Sequence, residues 1–425
     1  MTRTPRSATK KKATYYENSD SEEITEFRPS PPPPKRQRKT PTKKQAAAQA
    51  PVEETVGETA SGATEDAVQA PAGEVVEAVA AGAAEEPAKP LPKYLEAETK
   101  IAVEAVLTAS RLCQSVFKAL VSEETLTKSD KSPVTVADFG AQSLVNVLLN
   151  RHFPTDPIVG EEDSKDLHAD TALRTRVLDL VNGVHDQEMS ADEMCKYIDL
   201  GNYAGGSKGR FWTLDPIDGT KGFLRGEQYA VCLALVVDGK VELGVLGCPN
   251  LPVNLAEPEG ERGCLFVATR GGGAFQRTFS SDILTKISVT DVKKASETVF
   301  CESVEAGHSS QSDAAQIASL LGITGESVRM DSQCKYGIVS RGSAGIYLRV
   351  PVSETYEEKI WDHAGGMLIV EEAGGVVTDI DGKHLDFSVG RTLKNNKGVV
   401  AAGKHIHAEV LSAVKAVLKR EEPKL

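Results

Sequence analysis

No apolar run in these 425 residues approaches the roughly 20 needed to cross a bilayer. The first residues are basic and polar, with no apolar core, which excludes an ordinary secretory signal. Cysteine is sparse: seven, at positions 113, 195, 232, 248, 264, 301 and 334, the nearest pairs 16 apart. An odd total without a C-x-x-C pair offers neither a zinc knuckle nor a disulfide framework. It points to reduced thiols in an intracellular compartment, most of them packed as small core residues. Positive charge is also short. Lys and Arg number 49 against 61 Asp and Glu, a formal charge of −12 that argues against a chain-wide nucleic-acid surface. What remains is 40% apolar and 26% charged, ample for a large soluble core and two or three ordinary domains.

Residues 1–92 differ in kind from the rest. The first 50 carry twelve basic residues against five acids, a surplus of +7, and residues 51–92 carry nine acids against Lys89, or −8. With prolines at 31–34 and few aromatics, this segment cannot bury enough surface to offset the entropy of ordering it, and reads as a disordered extension. Pro33 to Lys39 matches a nuclear-import patch as well as it matches a solvated charge run. A cytoplasmic protein with access to the nucleus fits these signals. The acid-free first fourteen residues fit a mitochondrial presequence less well, for want of an apolar helical face.

From Leu95 the pattern is that of a folded chain. Val106, Cys113, Phe117 and Leu120 fall at helical spacing, and a second helix is predicted from Asp138 to about His152, before Pro154. Strands are predicted at 158–159, 211–214, 264–268, 299–302 and 345–350. Runs at 229–237 and 240–247 flank Asp238-Gly239, a pair suited to a type I′ hairpin. Helices are predicted at 310–321, 362–373 and 404–420. The stretch 163–211 is polar and poorly patterned. Mixed sheets layered between helices are expected, an α/β architecture, with no internal repeat.

The densest chemistry lies in Trp212-Thr213-Leu214-Asp215-Pro216-Ile217-Asp218-Gly219-Thr220. A strand enters a turn sharpened by Pro216 and Gly219, letting Asp215, Asp218 and the Ile217 carbonyl converge. Hard oxygen donors at this density suit Mg²⁺. Three further segments carry acids: Val134-Thr135-Val136-Ala137-Asp138, Gly160-Glu161-Glu162-Asp163 and Trp361-Asp362-His363-Ala364-Gly365. Taken singly, Asp138 and Asp362 could be helix N-caps and 161–163 a solvated loop.

Together, V-T-x-x-D, G-E-E, W-x-x-D-P-I-D-G-T and W-D-x-A-G resemble the signature of the magnesium-dependent, lithium-sensitive phosphatases of the inositol monophosphatase superfamily. The resemblance covers roughly 95–420 and implies a layered α-β-α-β-α sandwich. It divides the chain into a metal-binding half at 93–285 and a nucleotide-binding half at 286–425. It also implies Mg²⁺, two or three ions, held by Glu161, Asp215, the Ile217 carbonyl, Asp218 and Asp362. Thr220 and Asp138 match the superfamily's proton-accepting catalytic pair. Such cations neutralise a phosphate ester and activate the attacking water, and the helix after Asp362 turns a positive dipole end toward an anion.

The second half resembles the bisphosphate nucleotidases of fungi and plants in three blocks: Cys301 to Ser310, with its E-x-G-H-S-S element, Met330 to Tyr336, and Ile346 to Pro351. The resemblance implies that His308, Ser332, Lys335 and Arg349 bind a nucleotide, alongside Glu161, Asp218, Gly219, Thr220 and Asp362. Lys335 and Arg349 would supply the second anion site that a bisphosphate needs. The implied reaction is hydrolysis of the 3′-phosphate of adenosine 3′,5′-bisphosphate, with 3′-phosphoadenylyl sulfate a second substrate. An inositol phosphate phosphatase on the same scaffold is the alternative. The nucleotide is the expected partner, with no membrane and no nucleic acid, and the resemblance favours a monomer over a dimer.

Overall fold

The computed structural model describes residues 95–122, 132–353 and 355–418. The charged extension, its 33–39 patch and its presequence-like start lie outside them. Helices α1 (Glu96–Ser122) and α2 (Ser132–His152) pack on each other. The second was expected to begin at Asp138. It begins six residues earlier because Pro133 sits in the first turn, where its missing N–H removes no helical bond. Asp138 therefore lies inside the helix rather than at its cap.

After β1 (Ile158–Gly160) come three short helices, α3 (Lys165–Ala169), α4 (Thr171–Asn182) and α5 (Ala191–Asp199), in the stretch where no pattern was legible. Local side chains start two of them. Asp170 accepts the Ala172 and Leu173 N–H groups, and Ser190 with Glu193 forms a capping box. Then follow β2 (Arg210–Asp218), α6 (Thr220–Arg225), β3 (Ala230–Val237), β4 (Lys240–Pro252), β5 (Arg262–Thr269), β6 (Gly273–Thr278) and β7 (Thr285–Lys286). Together with β1 they form a seven-stranded sheet in chain order. β1 runs parallel to β2 and every other neighbour is antiparallel. The β3–β4 hairpin turns at Asp238 and Gly239, with φ of 47° and 77°, as a type I′ turn requires.

The remaining elements are β8 (Phe300–Glu302), α7 (Gln311–Leu320), β9 (Val328–Arg329), α8 (Cys334–Ser340), β10 (Ile346–Arg349), α9 (Ala364–Glu372), β11 (Gly375–Thr378), β12 (Val399–Gly403) and α10 (His407–Val417). Their five strands form a second sheet in the order β11-β12-β10-β8-β9. Three buried clusters fix the layering. Leu233, Leu235, Val245 and Val267 point from one face of the first sheet onto α1 and α2. The alternate residues Cys232, Ala234, Leu246 and Phe266 point from the other face onto α8 and α9. Phe300, Ile346 and Val400 pack the second sheet against α7 and α10. Strands covered on both faces read as continuous apolar runs, as β3 does.

The result is the expected α-β-α-β-α sandwich. Helix α9 sits close on β4 because Gly244 faces Gly365, where a Cβ would come within 2.7 Å of the Gly365 carbonyl. The chain passes between the sheets from Lys286 to Phe300. Helices α8 and α9 touch strands of both sheets, and the described residues fall within one compact unit. All seven cysteines are buried and unpaired. Among the described residues no helix is long and apolar enough to cross a membrane.

Candidate active site

The parallel strands β1 and β2 deliver their carboxyl ends to one edge of the sheet, the usual place for a ligand in such folds. Gly160 pairs with Leu214, which sets Glu161 beside Asp215. The expected turn at Pro216 is instead a continuation of β2 to Asp218. Asp215 pairs with Cys232 and Asp218 with Ala230, three steps on one strand against two on the other. In a regular strand residues 215 and 218 would face opposite sides. The extra residue is a bulge that re-aims them, and Pro216, lacking a donor, belongs in such a break. Gly219 then caps α6 at φ 91°, and a Cβ there would come within 3.0 Å of the Ser332 Cβ.

Asp138 reaches this edge from α2, and Asp362 from a 3₁₀ turn at Ile360–Asp362. Asp362 was expected to open a helix. That helix, α9, starts at Ala364, so the acid stands before it rather than capping it. The carboxyls feel one another. Burial, then Glu162 and Glu161, raise Asp138 well above the usual range. Burial, then Glu161, Asp218, Asp362 and Asp138, do the same to Asp215. Glu161 is exposed as a residue, yet its carboxyl is hemmed in by protein, raised by burial and by Glu162 and Asp362, and close enough to Asp215 to share a proton. Glu162 is pushed up to about 7, chiefly by burial and Asp163, and Asp362 to about 8, chiefly by burial and Asp218. Asp218 is also raised by burial, although Lys335 and Arg349 pull the other way.

Like charges gathered in a poorly solvated place are costly unless a cation joins them. The buried Oδ1 atoms of Asp138 and Asp215 have no hydrogen-bond partner. Hard oxygen donors with unused lone pairs fit a divalent cation such as Mg²⁺. Tighter in space is the trio Glu358, Asp362 and His363, whose ligand atoms lie within 4.8 Å of one another. Its Glu358 and His363 are already engaged, however. Glu358 accepts from Arg349 Nε at 2.7 Å and lies 3.3 Å from His363 Nε2, while His363 Nδ1 lies 2.8 Å from the Tyr336 hydroxyl.

Thr220 was expected to pair with Asp138. Its hydroxyl instead donates to the Ile217 carbonyl at 3.5 Å, and that bond to Asp138 is not made. Of the four residues expected to bind a nucleotide, His308, Lys335 and Arg349 lie close enough to influence one another electrostatically, and Lys335 contacts Ser332. Lys335 is buried and donates to the Met330 and Ser332 carbonyls at 3.3 and 2.8 Å, with Nζ 5.4 Å from the Tyr347 ring centre. Two of its three protons are thus used and one is left. Arg349 uses Nε on Glu358. Ser332 adopts φ 66°, a strained value for a residue with a Cβ, and its hydroxyl accepts the Cys334 N–H. His308 sits exposed at the rim, where partial desolvation and the cations Arg349, Lys221 and Lys335 hold its imidazole down at about 4.

Several supports were not foreseen. Gln142, one turn after Asp138 on the same face of α2, donates to the Glu162 carbonyl at 2.6 Å and accepts the Glu162 N–H at 3.0 Å. Its i+4 spacing was the available signal. Gln333 accepts the Gly366 N–H, donates to the Trp361 carbonyl, and gives its own backbone N–H to Asp218. Arg391 stacks on Trp361 and donates to the carbonyls of Gly160, Gly201 and Tyr203. No local motif marks it. A 430 Å³ hollow between α7 and β9, lined by Glu302, Gln311 and Arg329 among others, holds none of the clustered acids.

The inositol monophosphatase family matches residues 95–419. The 3′(2′),5′-bisphosphate nucleotidase of Schizosaccharomyces pombe is 51% identical over 342 residues, covering 77% of this chain and 97% of that one. The protein of the same name from Emericella nidulans is 50% identical, covering 76% and 99%. That from Oryza sativa is 43% identical, covering 76% and 95%. Among solved structures, an inositol monophosphatase from Zymomonas mobilis superposes with a TM-score of 0.51 at 21% identity, over 76% of this chain and 100% of that one.

Proposed function

The chain belongs to the inositol monophosphatase family, and within it we propose that this protein is a 3′(2′),5′-bisphosphate nucleotidase. It removes the 3′-phosphate of adenosine 3′,5′-bisphosphate, giving AMP and phosphate. The carrying observation is the juxtaposition at Asp218. On one side stands the acid cluster, on the other Lys335 and Arg349, which act on the same carboxylate. A substrate with two phosphates spans such a pair of sites. Relatives at 43–51% identity with that name support the reading.

Glu161, Asp215, the Ile217 carbonyl, Asp218 and Asp362 would hold Mg²⁺, two or three ions. When bound, Mg²⁺ neutralises the ester's charge and lowers the pKa of water. The chain's own groups do the rest. Asp138, desolvated and with a free Oδ1, is the proton acceptor, reached through the Thr220 hydroxyl when that group turns from the Ile217 carbonyl. Lys335, with one N–H to spare, and Arg349, with both Nη groups unengaged among the described residues, bind the 5′-phosphate. His308 and Ser332 flank the nucleoside. The same arrangement accommodates 3′-phosphoadenylyl sulfate, which would connect the activity with sulfur assimilation, and Li⁺ or Na⁺ would inhibit by taking a magnesium position.

Phosphate release from adenosine 3′,5′-bisphosphate, 3′-phosphoadenylyl sulfate and inositol 1-phosphate, with and without lithium, tests this. A clear preference for the nucleotides is expected. Preference for the inositol ester would overturn the substrate assignment while leaving the family intact.

A further inference from the structure

Glu358 is buried at 6% exposure, in a chain of contacts that no sequence motif announced. Its Oε1 accepts from Arg349 Nε at 2.7 Å, and its Oε2 lies 3.3 Å from His363 Nε2. His363, itself buried, meets the Tyr336 hydroxyl through Nδ1 at 2.8 Å. A neutral imidazole satisfies both contacts if Tyr336 donates to Nδ1 and Nε2–H donates to Glu358. Tyr336 stands edge-on to Tyr347 at 4.9 Å between centroids, and the Lys335 ammonium lies over that second ring. Burial alone would push Glu358 up; Arg349 and His363 outweigh it and hold it at about 2.

This places one side chain behind the guanidinium. Arg349 has five N–H donors in a rigid fork. The one on Nε is fixed by Glu358, and the four on the Nη atoms carry no hydrogen bond among the described residues. An arginine held from behind loses little freedom on meeting an anion, and a fork so aimed can engage phosphate in bidentate fashion. Without Glu358, the guanidinium would be free to swing toward the acid cluster, where Asp218 and Asp362 attract it.

We propose that Glu358, seated by His363 and Tyr336, is a positioning residue that sets the enzyme's preference for a bisphosphate over a monophosphate by aiming Arg349 at the non-scissile phosphate. The proposal rests on the nucleotidase reading and adds to it the element that discriminates between substrates. Glu358 also stands within 4.8 Å of Asp362, but its 2.7 Å hydrogen bond goes to Arg349, so its loss falls mainly on substrates that carry a second phosphate.

The test is a double-mutant cycle on the 425-residue chain, reading the ratio of kcat/KM for adenosine 3′,5′-bisphosphate to that for adenosine 3′-monophosphate. Glu358→Gln keeps the shape and removes the charge. It should lower the ratio about tenfold, mainly through KM for the bisphosphate. In an Arg349→Ala background, the same change should lower it no further. An equal loss in both backgrounds, or a fall in kcat shared by both substrates, would overturn the proposal. If Glu358→Gln melts early, Tyr336→Phe at the far end of the chain takes its place. It should give a smaller loss of about two- to threefold that again vanishes without Arg349, and no loss in the native background would overturn the proposal. Failure of the underlying reading looks different: Arg349→Ala would then leave the ratio unchanged, removing the second anion site altogether.

Discussion

Asp215 concentrates the conflict between stability and activity. It is buried, its Oδ1 has no partner, and its neighbours are Glu161, Asp218, Asp362 and Asp138. Folding tolerates this only by keeping protons on some of the group. Asp215→Asn removes one repelling charge while keeping the volume. We expect phosphate release to fall by at least about 100-fold, a typical loss for a group that stabilises the reacting charge. The melting temperature of the metal-free chain should be no lower than native, as expected where function strains the fold. A drop in both would make Asp215 a structural residue. The same cluster gives a pH dependence. Glu162 and Asp362 are raised to about 7 and 8, so the folded chain holds protons that the unfolded chain releases near pH 4. Their contribution is complete below the unfolded values and is lost as pH rises through the folded ones. The metal-free melting temperature should therefore fall between about pH 5 and pH 8, and added Mg²⁺ should flatten that fall. A curve that rises over the same interval would contradict the raised values.

At the scale of elements, α2 serves as a post from which the β1 end is hung. Gln142 is fully buried and satisfies both backbone groups of Glu162, besides donating to the Ile198 carbonyl. Gln142→Ala would leave those groups unpaired, at a cost of about 1–3 kcal/mol. Chemical denaturation should show that loss, together with a raised Mg²⁺ requirement for activity. Unchanged stability would mean that the loop holds itself. The helix was legible only in part. A helix is predicted over 138–152, which leaves out the first turn, with Pro133 and the β-branched Val134, Thr135 and Val136. Helices α3 to α5 escaped for another reason. Their clearest signals are caps, among them the Ser190-x-x-Glu193 box that a search for capping pairs would have found. The Asp238-Gly239 hairpin was legible because its turn chemistry is local. The bulge at Pro216 was not, since two strands must pair before an extra residue on one of them exists.

Across the whole molecule, the sequence placed the acids in four separate segments, and only folding shows them as neighbours. The motifs revealed which residues meet; what holds them there was hidden, because Gln333, Glu358 and Arg391 act over separations no local pattern encodes. Gln333 gives its backbone N–H to Asp218, 115 positions away, and Arg391 reaches Gly160 across 231. The two sheets and the α8–α9 layer between them are thus coupled through the site, and a cation bound there should brace the entire unit. The direct measurement is thermal melting in EDTA and in about 10 mM Mg²⁺, on the native chain and on Asp215→Asn. Binding to the folded state alone should raise the native melting temperature by roughly 2–5 °C and leave the variant nearly unmoved. No rise in the native chain, or an equal rise in both, would contradict a magnesium site built on these carboxylates.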